Sequence, residues 1–271
     1  MMWVRWLLLV LLLSSSIVSA DMGDWRAYKF FGLTGGLNNT SDSTDIAFTA
    51  AADLQNIVFN VSGAIGRRDG FTRINATAIS STAVFSGLTY YRKSDGIEFL
   101  VGMVSDGTSD SFQKMDYALG SPDGTWDTIA GVGLSFADDE LADFTTAEDT
   151  LYVAYGDGTK SLLKWTGSGD STALTSLPNA SIVEFHKRIL WVAGRSDAKT
   201  RVDFSNLDEP ETFTSTDFLL VETDDGQTIT GLKSALDCLY VFKMESIWRI
   251  CGTDRDNLYL EQMVRGIGAA G

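Results

Sequence analysis

The chain has 271 residues, 44% of them hydrophobic and 21% charged, with 26 glycines, three prolines and a formal net charge of −15. That composition excludes a disordered chain, and the negative charge excludes general binding to phosphate backbones. Two cysteines and one histidine leave neither a disulfide framework nor the ligands of a structural zinc site.

Residues 1–20 begin the elements in chain order. Arg5 precedes the apolar run Trp6–Leu13, and small residues follow at Val18 and Ala20. This is the pattern of a secretory signal peptide, too short for a membrane-spanning helix. The competing reading is a non-native extension ahead of Met22, which opens MGDWRAYKFFGL. Residues 21–84 are rich in Gly, Asn, Ser, Thr and Ala and read as an extended N-terminal arm, with one short strand at Ile57–Asn60.

From residue 85 to 271 short β-rich runs alternate with turn signals. Strands are predicted at Gly87–Tyr91, Glu98–Val104, Ser111–Met115, Leu151–Tyr155, Ser161–Trp165, Ile182–Phe185, Ile189–Ala193, Arg201–Phe204, Ile229–Leu232, Cys238–Phe242 and Ser246–Cys251, with a further strand-like run at Leu258–Met263. Asp-Gly pairs at Asp95, Asp106, Asp157 and Asp225 mark tight turns. Asp138–Phe144 offers at most one or two helical turns.

Aliphatic–aromatic central strands recur near residues 99, 151, 190 and 239, at spacings of about 52, 39 and 49 residues. Several strands per period of that length are the mark of propeller blades. The expected fold is therefore all-β: a β-propeller-like array of antiparallel blades, incomplete as a ring, behind the arm. A sandwich with irregular strands is the alternative. Four blades leave exposed sheet edges, which implies a fragment or closure by partners. Trp191 and Trp248 are expected between adjacent sheets.

Motifs that carry chemistry are few. His186 is the sole imidazole and reads as a residue of the connection between two strands. There is no GxSxG elbow and no phosphate loop. Ser121–Trp126 (SPDGTW) reads as a β-turn with its Trp packed on a blade. Ser105–Asp110 reads as a hairpin turn rather than a calcium loop, for want of EF-hand spacing. The sequence thus implies no enzyme, no cofactor and no metal. Cys238 and Cys251 flank a hairpin centred on Met244-Glu245 and fall opposite each other, either as a cross-strand disulfide in an exported protein or as two buried thiols.

Several stretches taken together resemble the structural proteins of tailed bacteriophages, of the kind at the tail nozzle or head-to-tail junction of short-tailed phages. They are Gly35–Asn38, Ala52–Phe59, Gly63–Arg73, Phe185–Gly194, Leu207–Phe213 and Val241–Ile250. The resemblance implies a virion protein, assembled in the host cytoplasm, that acts by forming a ring or conduit with portal, tail-tube or adaptor proteins. It makes Arg67 and Arg68 assembly contacts for a connector ring; a solvated turn is the other reading of that pair. The hydrophobic N-terminus departs from the family. Taken at face value it implies an exported bacterial propeller, secreted or periplasmic, that binds carbohydrate or protein at the cell surface. Neither reading involves sequence-specific nucleic-acid binding or a stable membrane anchor.

Overall fold

The structure is a computed structural model. It describes residues 36–37, 45, 50–51, 57–59, 65–68 and 74–75, and residues 78–269 with breaks at 107–108, 119–120, 138 and 253–254. The signal-like segment 1–20 and most of the expected arm lie outside the described residues. The chain divides into an N-terminal unit, Met1–Thr72, and a second unit, Arg73–Gly271. In the first, β1 (Gly36–Leu37) pairs in parallel with β2 (Ala50–Ala51), and β3 (Ile57–Phe59) pairs antiparallel with β4 (Ile65–Arg67).

The second unit is built from four antiparallel sheets in chain order. Blade I holds β5 (Val84–Arg92), β6 (Glu98–Ser105), β7 (Asp110–Ala118), β8 (Ser121–Pro122) and β9 (Asp127–Leu134). Blade II holds β10 (Ala142–Ala147), β11 (Thr150–Tyr155), β12 (Leu163–Trp165) and β13 (Thr172–Ala173). Blade III holds β14 (Ile182–His186), β15 (Ile189–Ala193), β16 (Arg201–Asn206) and β17 (Glu209–Leu220). Blade IV holds β18 (Ile229–Ala235), β19 (Cys238–Lys243), β20 (Ser246–Cys251) and β21 (Tyr259–Arg265). Among the described residues the only helix is a 3-10 turn at Arg255–Asn257. The first strands stack in sequence, β5 on β10, β10 on β14 and β14 on β18. This is a propeller array of four blades. Among the described residues β18 has no comparable packing against β5, so the array is open.

Each seam between blades has its own core. Trp165 fills the I/II seam with Tyr91, Phe99 and Phe112, its ring centroid 5.0 Å from that of Phe99. Aliphatic side chains, Leu162, Val183, Leu190 and Val192 among them, fill the II/III seam. Trp191, Phe204, Leu239, Val241 and Ile250 fill the III/IV seam. Strands covered on both faces read as unbroken apolar runs, and β15 is buried at every position. Gly87 lets the first two inner strands approach: a Cβ there would lie 2.4 Å from the Ala142 carbonyl oxygen.

Lys243 is the one fully buried cation among the described residues. Its Nζ donates to the carbonyls of Val221 (3.1 Å) and Glu222 (2.9 Å) and to Asp225 (2.6 Å), tying the III-to-IV connection to blade IV. Burial opposes ionisation of Asp225. The hydrogen bonds from Lys243 and the Gln227 N–H outweigh it and hold the carboxyl below its ordinary pKa.

Several expectations need correction. Ala142–Ala147 is a strand, so the helical reading of Asp138–Phe144 fails; its polar residues face the next blade's edge. Trp191 is 1% exposed, but Trp248 is only half-buried at the margin of the III/IV core. Of SPDGTW, read as a β-turn, Ser121–Pro122 is instead strand β8 paired with β7; the chain bends at Gly124, which takes a left-handed φ of 83°, and Trp126 packs on Phe85 at 5.1 Å as expected.

Trp191→Ala should lower unfolding free energy by about 3–5 kcal/mol. Trp248→Ala should cost less, about 1–2 kcal/mol. Urea titration of both variants checks this, and equal losses would contradict the burial assigned here.

Candidate functional site: a basic-rimmed groove between blades III and IV

Blades II, III and IV each begin with a hairpin of two left-handed residues, none of them glycine: Glu148-Asp149, Lys187-Arg188 and Leu236-Asp237. Paired positive φ values are what a two-residue hairpin requires to match strand twist. All three hairpins follow the inner strand of their blade. The Asp149 carboxylate accepts the backbone N–H of Ser94 (2.7 Å), which ties the first turn of blade I to that of blade II.

Between blades III and IV the turns stand apart and leave a cavity of about 310 Å³. Its floor is apolar, from Ile189, Ile250 and Leu258, with Leu207 at the edge. Lys187, Arg188 and Arg255 stand around its mouth. The two guanidinium groups are committed to carboxylates, Arg188 to Asp208 and Arg255 to Asp217. Lys187 Nζ reaches across to the Gly252 carbonyl at 2.9 Å. An apolar group with a polar end fits this chemistry better than a small free anion does.

Cys238 and Cys251 adjoin the groove. They form a cross-strand disulfide between directly opposed positions, with Cα atoms 4.6 Å apart. The sequence left disulfide and free thiols both open; the structure joins them.

His186 is the last residue of β14 rather than part of a connection, and it is buried. Its Nδ1 shares a hydrogen bond with Ser234 Oγ of β18 at 2.7 Å. Glu184, two residues earlier, accepts the Ser234 N–H (3.3 Å) and Lys233 Nζ (2.9 Å). A serine hydroxyl beside an imidazole invites a hydrolytic reading. Here the nearby carboxylate is spent on Lys233 and the Ser234 backbone, and the pair staples two inner strands. Among the described residues no three His, Cys, Asp or Glu side chains converge as a metal site would need.

Arg67 closes β4 and Arg68 follows it, exposed; both belong to the N-terminal unit, whereas the groove is built wholly within the second. Sequence reading missed Lys187, Arg188 and Arg255 because no spacing links residues 187 and 255. A basic hairpin turn in an acidic chain was the available signal.

No protein-family model matches the chain, and no curated protein does. Among solved structures it is similar to the Pan2 WD40 domain of Neurospora crassa, with 10% identity, 70% of this chain and 56% of that one covered, and a TM-score of 0.41. Raptor of Chaetomium thermophilum gives 10% identity, 69% and 17% coverage and 0.43. The fucose-specific lectin of Aleuria aurantia gives 13%, 65% and 60%, and 0.36. The chain thus spans about half of the Pan2 domain. Likenesses this distant carry no functional argument, and the propeller assignment rests on the four stacked sheets themselves.

Burial, and then the positive charge of Lys187, hold His186 below the ordinary imidazole pKa of 6.5. The folded state therefore binds this proton less readily than the unfolded chain. Its contribution to stability is complete above about pH 6.5 and is lost as pH falls below that value through the lower pKa of the folded state. Asp143, raised chiefly by burial, acts in the opposite sense and gains stability as pH falls. His186 is the only histidine. Urea stability measured from about pH 7.5 down to 5 should fall in the wild type and fall less in His186→Gln. Identical slopes would show that the staple does not sense protonation.

Proposed function

We propose that this protein works by assembly rather than turnover, as a structural component of the tail or head-to-tail joint of a tailed phage. The observation that carries the reading is the open array with an apolar face at each end. Leu88 and Tyr90 are about half exposed on the free face of blade I, as is Tyr259 on that of blade IV. Sheets that end in uncovered apolar faces call for partners. The sequence resemblance supplies the setting, and the net charge of −15 suits a part that must not adhere to passing DNA.

A second reading has its own support. A disulfide persists in an oxidising compartment, and the Cys238–Cys251 bond together with the signal-like residues 1–20 favours an exported propeller that binds carbohydrate or protein at a cell surface. On that reading the groove at Lys187 is the binding slot.

Co-expression with the portal and tail-tube proteins of the phage that this reading implies should yield a discrete complex that survives gel filtration. A chain that ignores every such neighbour, starts at Asp21 by intact-mass measurement and binds a glycan array would overturn the virion reading in favour of the exported one.

A further inference from the structure

The Cys238–Cys251 bond stands where the fold does not need it. Cys238 opens β19 and Cys251 closes β20, so the bond clips the open end of a hairpin. Four cross-strand pairs, from Leu239 with Ile250 to Phe242 with Ile247, already hold that hairpin. Leu239, Val241 and Ile250 carry blade IV into the III/IV core, and neither cysteine belongs to it. The bond joins residues only 13 apart, a short ring whose closure restricts the unfolded chain least.

The bond also lies against open space. A cavity of about 430 Å³ is lined by both cysteines. Among the described residues its lining carries two charges of opposite sign, Asp237 and Lys187. Asp237 directly precedes Cys238. Lys187 Nζ donates to the carbonyl of Gly252, the residue after Cys251, at 2.9 Å. Cys251 also lines the III/IV groove, where Arg188 and Arg255 are held by Asp208 and Asp217. The two cysteines therefore differ: an acid adjoins Cys238, and a lysine with no carboxylate partner named above reaches over the chain beside Cys251.

From this placement we propose that the disulfide is a site of reversible thiol–disulfide exchange, with small thiols as its substrates and Cys251 as the leaving sulfur. The thiolate of a first thiol attacks Sγ of Cys238, the more exposed of the two at 9% against 5%. A mixed disulfide forms there as the Cys238–Cys251 bond breaks, and the electron pair leaves on Sγ of Cys251, on the side of Lys187. A nearby ammonium lowers a thiol's pKa, and a thiol of lower pKa departs faster. A second thiol then displaces the first from Cys238. Two thiols are oxidised to one disulfide, the protein disulfide is reduced to two thiols, and the two protons come from the reagent. Exchange releases the Cys251–Gly252 step that Lys187 bridges from blade III and leaves the stacked sheets in place. The proposal holds on either reading of the function: a chain folded in a reducing cytoplasm closes the bond on release, and an exported chain closes it during export.

The test is the rate at which 2-mercaptoethanesulfonate opens the bond in the folded full chain, followed by alkylation and intact mass. The wild-type bond should open without denaturant and re-form when the thiol is removed, with the far-UV circular dichroism unchanged. Lys187→Gln should react about threefold more slowly, the effect of a shift of about one unit in thiol pKa at a Brønsted slope of about 0.5. Lys187→Arg should restore the rate. A lysine that served only as a strut on Gly252 would give the opposite sign, because its loss would loosen the mouth and speed the reaction. Asp237→Asn, which suits the left-handed backbone at that position, should react faster than wild type. The double variant Cys238→Ser/Cys251→Ser should keep the sheet signal, which separates loss of the bond from loss of the fold. The proposal is overturned by a bond that opens only in urea, by a sheet signal that disappears on reduction or in the double serine variant, or by a Lys187→Gln variant that reacts as fast as wild type or faster.

Discussion

An inner strand of a propeller has a hydrogen-bonded strand on one side only, and the N–H groups along its other edge need acceptors. The preceding blade supplies them here. Asp143 and Thr145 of β10 accept the backbone N–H groups of Val183 (3.0 Å) and Phe185 (3.1 Å) of β14. Glu184 of β14 accepts that of Ser234 on β18. Counted back from each hairpin, Thr145 and Glu184 occupy the same position, and so do Phe185 and Ser234. The blades are therefore stitched in a common register without any shared strand pair. The apolar seams stack on that frame, because a side chain such as Trp191 interdigitates with the next sheet only when the two inner strands hold a fixed offset.

The stitching changes character along the array. Among the described residues the I/II seam has no such bridge at the corresponding position; it relies on the close approach at Gly87, on aromatic packing around Trp165, and on Asp149 holding Ser94. The II/III seam adds an outer clasp, in which Glu211 accepts from Lys164 (2.7 Å) and Tyr152 (3.2 Å). The III/IV seam uses the titratable pair Glu184 and His186, and the Lys243 cage holds its connection. Removing one member of such a cage leaves the remaining buried groups without compensation, the costly case for buried charge. The polar groups of the III/IV seam bridge the inner strands and leave the basic mouth of the groove open.

Much of this architecture was legible in the sequence, and the exceptions have physical causes. Central strands such as Ile189–Ala193 and Ser246–Cys251 were placed to the residue; in the first, burial on both faces writes a continuous apolar run. The strands missed after residue 84 were β8, β9, β10, β13 and β17. Strand β10 must carry Asp143 and Thr145 to feed the next blade's edge, and those residues disguise it as a loop or helix. Strand β17, Glu209–Leu220, lies at the outer edge of its blade, where only one strand pairs with it and ETFTSTDF is tolerated. Register shifts against β16 blur its alternation further. The hairpins that set the rim lack a turn signature: Lys187-Arg188 and Leu236-Asp237 adopt left-handed backbone without Asn-Gly or Asp-Gly, so tertiary structure imposes the turn. The groove joins residues 60 to 70 positions apart, a juxtaposition that only the stacking of blades creates.

Charge placement links these features to the way the molecule meets others. A formal charge of −15 spread over one chain sets a repulsion that any association must overcome. At the III/IV seam each polar group has a partner: Glu184 accepts from Lys233 and the Ser234 N–H, and His186 shares a hydrogen bond with the Ser234 hydroxyl, while the cores contain aliphatic and aromatic carbon. Charge outside the seams acts at longer range, whereas the packing that holds blade to blade depends on short-range contacts.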